Sequence, residues 1–232
     1  MKTINENVAA IRAMIADSAK KSGRDPNEIK LIGVTKSVDV SRINELIEAG
    51  VTIIGENRVQ EFLPKYEFFS DKKIRPTEFH FIGHLQKNKV KFIVDKVDLI
   101  HSVDSLSLAE EINKRGEQIG KVINFLAEIN ISGESSKFGM PPDEILNFAK
   151  NVVNMRFLRL SGLMCVAPFV KNPSANRVNF ARMKNLLLDI ETICKYNCAN
   201  LELSMGMSSD FSVAIEEGAT MIRIGTALFN ER

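Results

Sequence analysis

Cysteine is scarce in this chain of 232 residues, with Cys165, Cys194 and Cys198 the full set. An odd number with no framework of spacings excludes a disulfide-stapled fold and points to a reducing compartment. Cys194 and Cys198 lie four apart, but no histidine or further cysteine stands near them in sequence, so core thiols are expected rather than a metal site. Tyrosine is scarcer still, with only Tyr66 and Tyr196. No apolar run is long enough to span a bilayer, and the polar N-terminus lacks the apolar core of a signal peptide. Charge of one sign is also missing: the formal net charge is +2, and the densest basic stretch, Lys87 to Lys91, is broken by Asn88 and Val90. That stretch reads as a solvated helix face. Nucleic acid and membrane are therefore not expected partners, and a cytoplasmic location is. Neither a Walker sequence nor G-x-G-x-x-G occurs, so a nucleotide is not indicated.

What is present is a regular alternation. The chain is 44% hydrophobic, enough to bury a sizeable core. Ile4, Val8, Ile11 and Ile15 mark one stripe of an amphipathic N-terminal helix, stopped by Gly23 and Asp25-Pro26. Short apolar runs follow, each leading into a helical pattern. They are Lys30 to Val34, Val51 to Ile54, Glu78 to Ile82, Val97 to His101, Val122 to Ile131, Phe157 to Val166, Asn200 to Leu203 and Thr220 to Ile224. Ser107 and Glu110 are placed for a capping box, as are Asn57 and Gln60. Pro141-Pro142 opens the sixth helical run, a long helix is expected over Ala175 to Tyr196, and Gly218 closes the helix begun at Phe211. Eight strand-helix units with short connections predict a single-domain α/β chain, a (β/α)8 TIM-type barrel over residues 1–232 with an extra N-terminal helix. The alternation also fits an open doubly wound sheet, but the count of eight and the lack of a glycine-rich first turn favour the barrel.

The polar residues then fall into place. Lys36, Asn57, His84, Ser102, Ser204, Arg223 and Gly225 all lie at or near the C-terminal end of an expected strand. In a barrel these ends share one face, where active sites are built. Lys36 closes the apolar run Leu31-Ile32-Gly33-Val34. On its own it reads most plainly as a solvated lysine. Held at the mouth of an apolar barrel, an amine loses hydration, which favours its neutral, nucleophilic form and Schiff-base chemistry with an aldehyde. Ser204-Met205-Gly206-Met207-Ser208-Ser209-Asp210 leaves strand seven, and Ile224-Gly225-Thr226 leaves strand eight. Loops at these two places commonly form a phosphate cup, though ordinary turns use the same residues. An amine that traps aldehydes, beside a phosphate cup, suggests pyridoxal 5′-phosphate. If Arg223 faces the ring nitrogen it can only donate to it, leaving that nitrogen unprotonated and the cofactor a poor electron sink. The loop Ser132 to Met140, with a glycine near each end, reads as a lid.

Several motifs carry a family resemblance. They are Val34-Thr35-Lys36, Gly55-Glu56-Asn57-Arg58-Val59-Gln60-Glu61, His80-Phe81-Ile82-Gly83-His84-Leu85-Gln86-Lys87-Asn88-Lys89, His101-Ser102-Val103-Asp104, Ser136-Lys137-Phe138-Gly139, Gly162-Leu163-Met164, Leu203-Ser204-Met205-Gly206-Met207-Ser208 and Arg223-Ile224-Gly225-Thr226. In order and over nearly the whole length, the chain resembles the pyridoxal phosphate homeostasis proteins, single-domain relatives of the barrel half of alanine racemase. Arg58 and Asn230 depart from that pattern, which commonly has tyrosine and glycine there. The resemblance implies that Lys36 is the Schiff-base lysine. Ser204, Met205, Gly206, Gly225 and Thr226 would hold the phosphate, Arg223 would face the pyridine nitrogen, and Asn57 and His84 would line the ring pocket. It implies buffering of the cofactor and delivery to enzymes that require it, without robust turnover. A monomer is expected. Two other readings remain open at this point: a racemase or related enzyme using the same cofactor, and a barrel aldolase whose lysine attacks a sugar directly. Against racemisation, both tyrosines are expected away from the C-terminal rim, and the run after strand eight leaves no room for a further domain.

Overall fold

The computed structural model describes residues 2–194 and 201–230. Eight parallel strands pair in chain order and close into a barrel. They are β1 (Lys30–Val34), β2 (Ile53–Glu56), β3 (Glu78–Phe81), β4 (Leu99–Val103), β5 (Ile123–Glu128), β6 (Leu158–Met164), β7 (Glu202–Ser204) and β8 (Met221–Ile224). Closure is made by β1 against β8, with Lys30 opposite Met221 and Ile32 opposite Arg223. The surrounding helices are α1 (Ile4–Lys21), α2 (Val40–Glu48), α3 (Val59–Ser70), α4 (Val90–Ile93), α5 (Leu106–Ile119), α6 (Ile145–Val152), α7 (Arg177–Cys194), α8 (Phe211–Glu216) and α9 (Thr226–Phe229). The expected (β/α)8 barrel with an extra N-terminal helix is what forms. No helix among the described residues is long and apolar enough to cross a membrane.

The extra helix is specified locally. Thr3 caps α1, its side chain accepting from the Glu6 N–H while the Glu6 carboxylate accepts from the Thr3 N–H. Ile4, Val8, Ile11 and Ile15 are buried, as their spacing predicts. The Asn7 amide donates to the Leu228 and Asn230 carbonyls at 3.1 and 3.0 Å, tying α1 to the last unit of the barrel.

Strand ends differ from expectation where neighbours dictate them. β2 starts at Ile53 because Ile32 of β1 pairs there, and it runs on to Glu56 opposite Phe81. β5 stops at Glu128, not Ile131: Met140 donates to the Glu128 carbonyl and Asn130 to the Met140 carbonyl, so the lid loop takes those backbone bonds. Ser102 lies inside β4, buried, rather than after it. The N-cap of α5 is Ser105, and Ser107 falls within the helix, so the expected capping box does not form. The far end of the helix expected to reach Tyr196 lies outside the described residues, as does Cys198.

Two apolar layers result. A large cluster lies between sheet and helices, and a small one of Ile32, Leu99, Leu126, Met164 and Met221, with Ile53 against it, fills the lumen. Strand alternation places His101, Glu128 and Arg223 two residues beyond Leu99, Leu126 and Met221, on the same inner face and one layer nearer the C-terminal rim.

The outer wall behind Lys36 contains charge. Lys65 of α3 donates to Glu56 Oε1 and to the Thr35 carbonyl, both at 2.6 Å, and the Thr35 hydroxyl also bonds Glu56 Oε1. Glu56 and Thr35 are fully buried and Lys65 nearly so. This clamp joins the end of β1 to β2 and α3, one residue before Lys36. Removing one partner of such a pair strands the other charge. Lys65→Met is therefore expected to lower the unfolding free energy by about 3–5 kcal/mol. The double variant Glu56→Gln/Lys65→Met should lose less. Denaturant titration distinguishes them, and equal losses would mean that packing rather than charge sets the cost.

Candidate functional site

The C-terminal rim gathers most of the residues singled out above. Lys36 lies in the turn after β1 with its side chain exposed, not desolvated within the mouth. The next residue, Ser37, has φ 56°, the one positive φ outside glycine among the described residues. An L-residue in this region carries a strain of about 1 kcal/mol. Glu61 of α3 holds the turn, accepting from the Ser37 N–H at 2.8 Å. The lysine is thus free at its tip and fixed at its root.

Asn57 follows β2 and is half-buried, and its Oδ1 is buried with no hydrogen-bond partner. It does not cap α3; Arg58 occupies that position without a side-chain cap. Gly83 is needed beside it, because a Cβ there would lie 2.2 Å from the Asn57 carbonyl oxygen. His84 stacks face to face on Phe138 of the lid loop, with ring centroids 3.9 Å apart and planes 11° apart. Its Nδ1 is 3.5 Å from Asp104 Oδ2. The lid carries Lys137, paired with Glu134 at 3.1 Å, and is braced by the Asn130 amide, which donates to the Glu134 carbonyl.

The loop after β7 is shaped from within. Gly206, at φ 91°, could not be replaced by a residue with a side chain, since a Cβ would lie 2.6 Å from the Ala214 methyl. Asp210 accepts from the Met207 N–H at 2.8 Å and from the Asn176 amide at 2.9 Å. Met205 packs in the outer core, and its N–H is used by the Met221 carbonyl. Its side chain is thus committed to packing. Ser208, Ser209 and Thr226 are the exposed hydroxyls of the two loops, and Gly225 caps the short helix that Thr226 begins.

Ser204 sits differently from the expected phosphate ligand. Its Oγ is fully buried in the lumen, 2.6 Å from Arg223 Nη1 and 3.0 Å from His101 Nδ1. Arg223 also donates from Nη2 to the Cys165 carbonyl at 2.7 Å. The network continues from His101 Nε2 to His80 Nδ1 at 3.0 Å, and from His80 Nε2 to Glu78 Oε2 at 2.8 Å. His80, His101 and Asp210 stand within the motifs quoted above but were given no role, and Glu128 was not singled out. The signal for His80, His101 and Glu128 was the two-residue period that puts Glu78 with His80, Leu99 with His101 and Leu126 with Glu128.

Burial governs the electrostatics here. It pulls His101 well below the usual histidine range, and the nearby His80 and Arg223 add to the effect. It pulls the Arg223 guanidinium down, opposed by Cys165, Glu128 and Asp210. It pushes the Cys165 thiol up to about 12, so this thiol is not a nucleophile. Glu128 is pushed up to about 7, first by burial and then by Asp104, with Arg223 opposing, and its Oε2 has no partner. No group of histidine, cysteine and carboxylate side chains among the described residues is arranged to hold a metal ion.

Fold and rim together define a single (β/α)8 barrel of the alanine racemase N-terminal domain type, and that family's model matches residues 3–232. The pyridoxal phosphate homeostasis protein of Aquifex aeolicus is 42% identical over 227 residues, covering 98% of this chain and 97% of the relative. The protein of the same name from Escherichia coli K12 is 38% identical, covering 100% and 98%. The solved structure of PipY from Synechococcus elongatus PCC7942 with PLP bound superposes with a TM-score of 0.85 at 30% identity, covering 98% and 100%. The chain belongs to the pyridoxal phosphate homeostasis protein family.

Glu128 gives the site a pH signature. Its carboxyl holds a proton more tightly in the folded chain than near its ordinary value of 4.5. Its contribution to stability is complete below that value and is lost as the pH rises toward about 7. Glu128→Gln should therefore stabilise the cofactor-free protein at about pH 8 by roughly 1–3 kcal/mol. The gap should close toward about pH 5. Paired thermal unfolding across pH measures this, and a constant gap would assign the effect to packing.

Proposed function

We propose that this chain binds pyridoxal 5′-phosphate through Lys36 and serves in its homeostasis in the cytoplasm, holding the cofactor and passing it to enzymes that require it. The observation that carries this reading is the exposed amine of Lys36, on the same rim as the glycine-shaped loops after β7 and β8, in a chain similar end to end to a relative with PLP bound. The residues present fit the group. An orphaned amide oxygen on Asn57, just after β2, and an orphaned oxygen on Glu128, the last residue of β5, lie at strand ends. Glycines keep the two loops after β7 and β8 free of bulk.

The cofactor supplies an aldehyde that a primary amine captures reversibly. This chain supplies the rest. Lys36 provides the amine on a turn fixed by Glu61. Gly206, Gly225, Ser208, Ser209 and Thr226 offer N–H and O–H donors to a phosphate, while Ser204 acts beneath them through Arg223. Arg223 donates toward the ring nitrogen and cannot accept a proton from it. Asn57 and the stacked pair His84–Phe138 would border the ring, with the lid loop on one side. Tyr66 is unavailable as a proton donor at the site, because it packs in the outer wall with Phe62 and Phe79, at centroid distances of 5.6 and 5.5 Å. Robust amino-acid turnover is not expected, and a monomer suffices for the assignments made.

Borohydride treatment of the loaded protein should fix the cofactor on the peptide containing Lys36. Lys36→Ala should fold but lose the visible absorbance of bound cofactor. Label found mainly on another lysine would refute the assignment. For the anion site, a hydrogen bond to a charged group contributes roughly 1.5–3 kcal/mol. Thr226→Val should then weaken retention about tenfold or more. Pyridoxal without its phosphate should bind poorly to the native chain, and equal affinity for the two would misplace the cup. Inversion of alanine with deuterium wash-in at its α-carbon, at about 1 per second or faster, would favour a racemase instead.

A further inference from the structure

The lumen contains one continuous line of polar side chains. It starts at Arg223 under the C-terminal rim and passes through Ser204, His101 and His80 to Glu78, the first residue of β3. Glu78 lies at the opposite end of the barrel, with its side chain 41% exposed. The two histidines between are only 1% and 0% exposed. None of this is needed to hold the sheet together, since every link is a side-chain bond.

With both histidines neutral and Glu78 ionised, the chemistry of the two ends sets the direction of every link. A guanidinium can only donate. Arg223 therefore donates to Ser204 Oγ, and the single proton of that hydroxyl goes to His101 Nδ1. Burial and the neighbouring arginine keep His101 neutral, so its one ring proton is on Nε2. That proton is donated to His80 Nδ1. The His80 proton must then be on Nε2, where the Glu78 carboxylate accepts it. This bond is also what lowers Glu78 below the ordinary carboxylate range. Reversing the links above His80 would require that ring to carry protons on both nitrogens, a state the tautomer measurement below separates from the relay.

We propose that Glu78, His80, His101 and Ser204 form a one-way hydrogen-bond relay that positions Arg223 for the cofactor ring, so that a carboxylate on the N-terminal face of the barrel helps set how tightly the cofactor is held on the other. The relay rests on the reading that pyridoxal phosphate binds here. It makes Ser204, His101 and His80 positioning residues that need not touch the cofactor. Two of the guanidinium's donors are used by Ser204 and Cys165. The remaining donors are held in one plane and one direction by those two bonds.

Two measurements test this. In the cofactor-free native protein, nitrogen-15 spectra of the side chains should show His80 and His101 both as the Nε2–H tautomer. A proton on Nδ1 of either ring would overturn the relay, whatever the cofactor does. In loaded protein, Glu78→Gln removes the terminal charge at an accessible position. It should weaken pyridoxal phosphate retention about fivefold, because a charge-assisted bond is roughly twice as strong as a neutral one. The visible absorbance maximum of the bound cofactor should shift in the same variant, which a loss of fold stability alone would not cause. His101→Phe, if folded, should exceed both effects. If the native chain binds the cofactor, and Glu78→Gln binds it with unchanged affinity and spectrum, the relay is refuted. If the native chain does not bind it, the functional reading fails instead and the tautomers still judge the relay.

Discussion

The charge on Arg223 is the constraint around which the interior is arranged. A guanidinium keeps its proton, so burying it is tolerable only where its donors find acceptors. Ser204 Oγ and the Cys165 carbonyl are those acceptors. Ser204 thereby loses its freedom to face the rim, although its place at the end of β7 suits a phosphate ligand. His101 is held neutral beside the same charge. Glu128 feels the arginine as the one influence opposing its burial. One cation thus orients Ser204 of β7 and bears, behind burial, on the charge of His101 of β4 and Glu128 of β5.

Much of this was legible in the sequence. Eight apolar runs, each followed by a helical stripe, specify the barrel because both periods are local properties of the chain. The rim residues were legible because strand ends of a parallel barrel share one face. Strand limits were not. β2 begins two residues late and β5 ends three residues early, because the first is set by the height of β1 and the second by bonds from Met140. A helix cap depends on backbone angles that composition does not fix, so Ser105 rather than Ser107 takes that role. Within the candidate site, Lys36 and Thr226 were placed on the rim by counting. The inward turn of Ser204 was not, because it depends on a contact with β8 and another across the lumen with β4. The histidine pair follows the same rule. Alternation within β3 and β4 shows which way His80 and His101 face, but their meeting requires the relative height of two strands.

The layers of the lumen explain why a polar line should matter here. At the N-terminal end, Lys30 pairs with Glu202 at 2.6 Å, and Glu78 lies within the field of that lysine. Above this, Ile32, Leu99, Leu126, Met164 and Met221 form an apolar plug. The polar layer of His101, Glu128, Ser204 and Arg223 comes next, and then the rim. A plug of this kind isolates the rim from the far face, because polar groups do not cross apolar packing without partners. His80 is the exception. It pairs in register with Leu99, so it stands at the height of the plug, yet it bonds a carboxylate below and an imidazole above. An apolar residue at this position would complete the plug and leave His101 Nε2–H without an acceptor. The barrel instead admits a satisfied polar side chain at one point of its apolar layer, and that point joins its two faces.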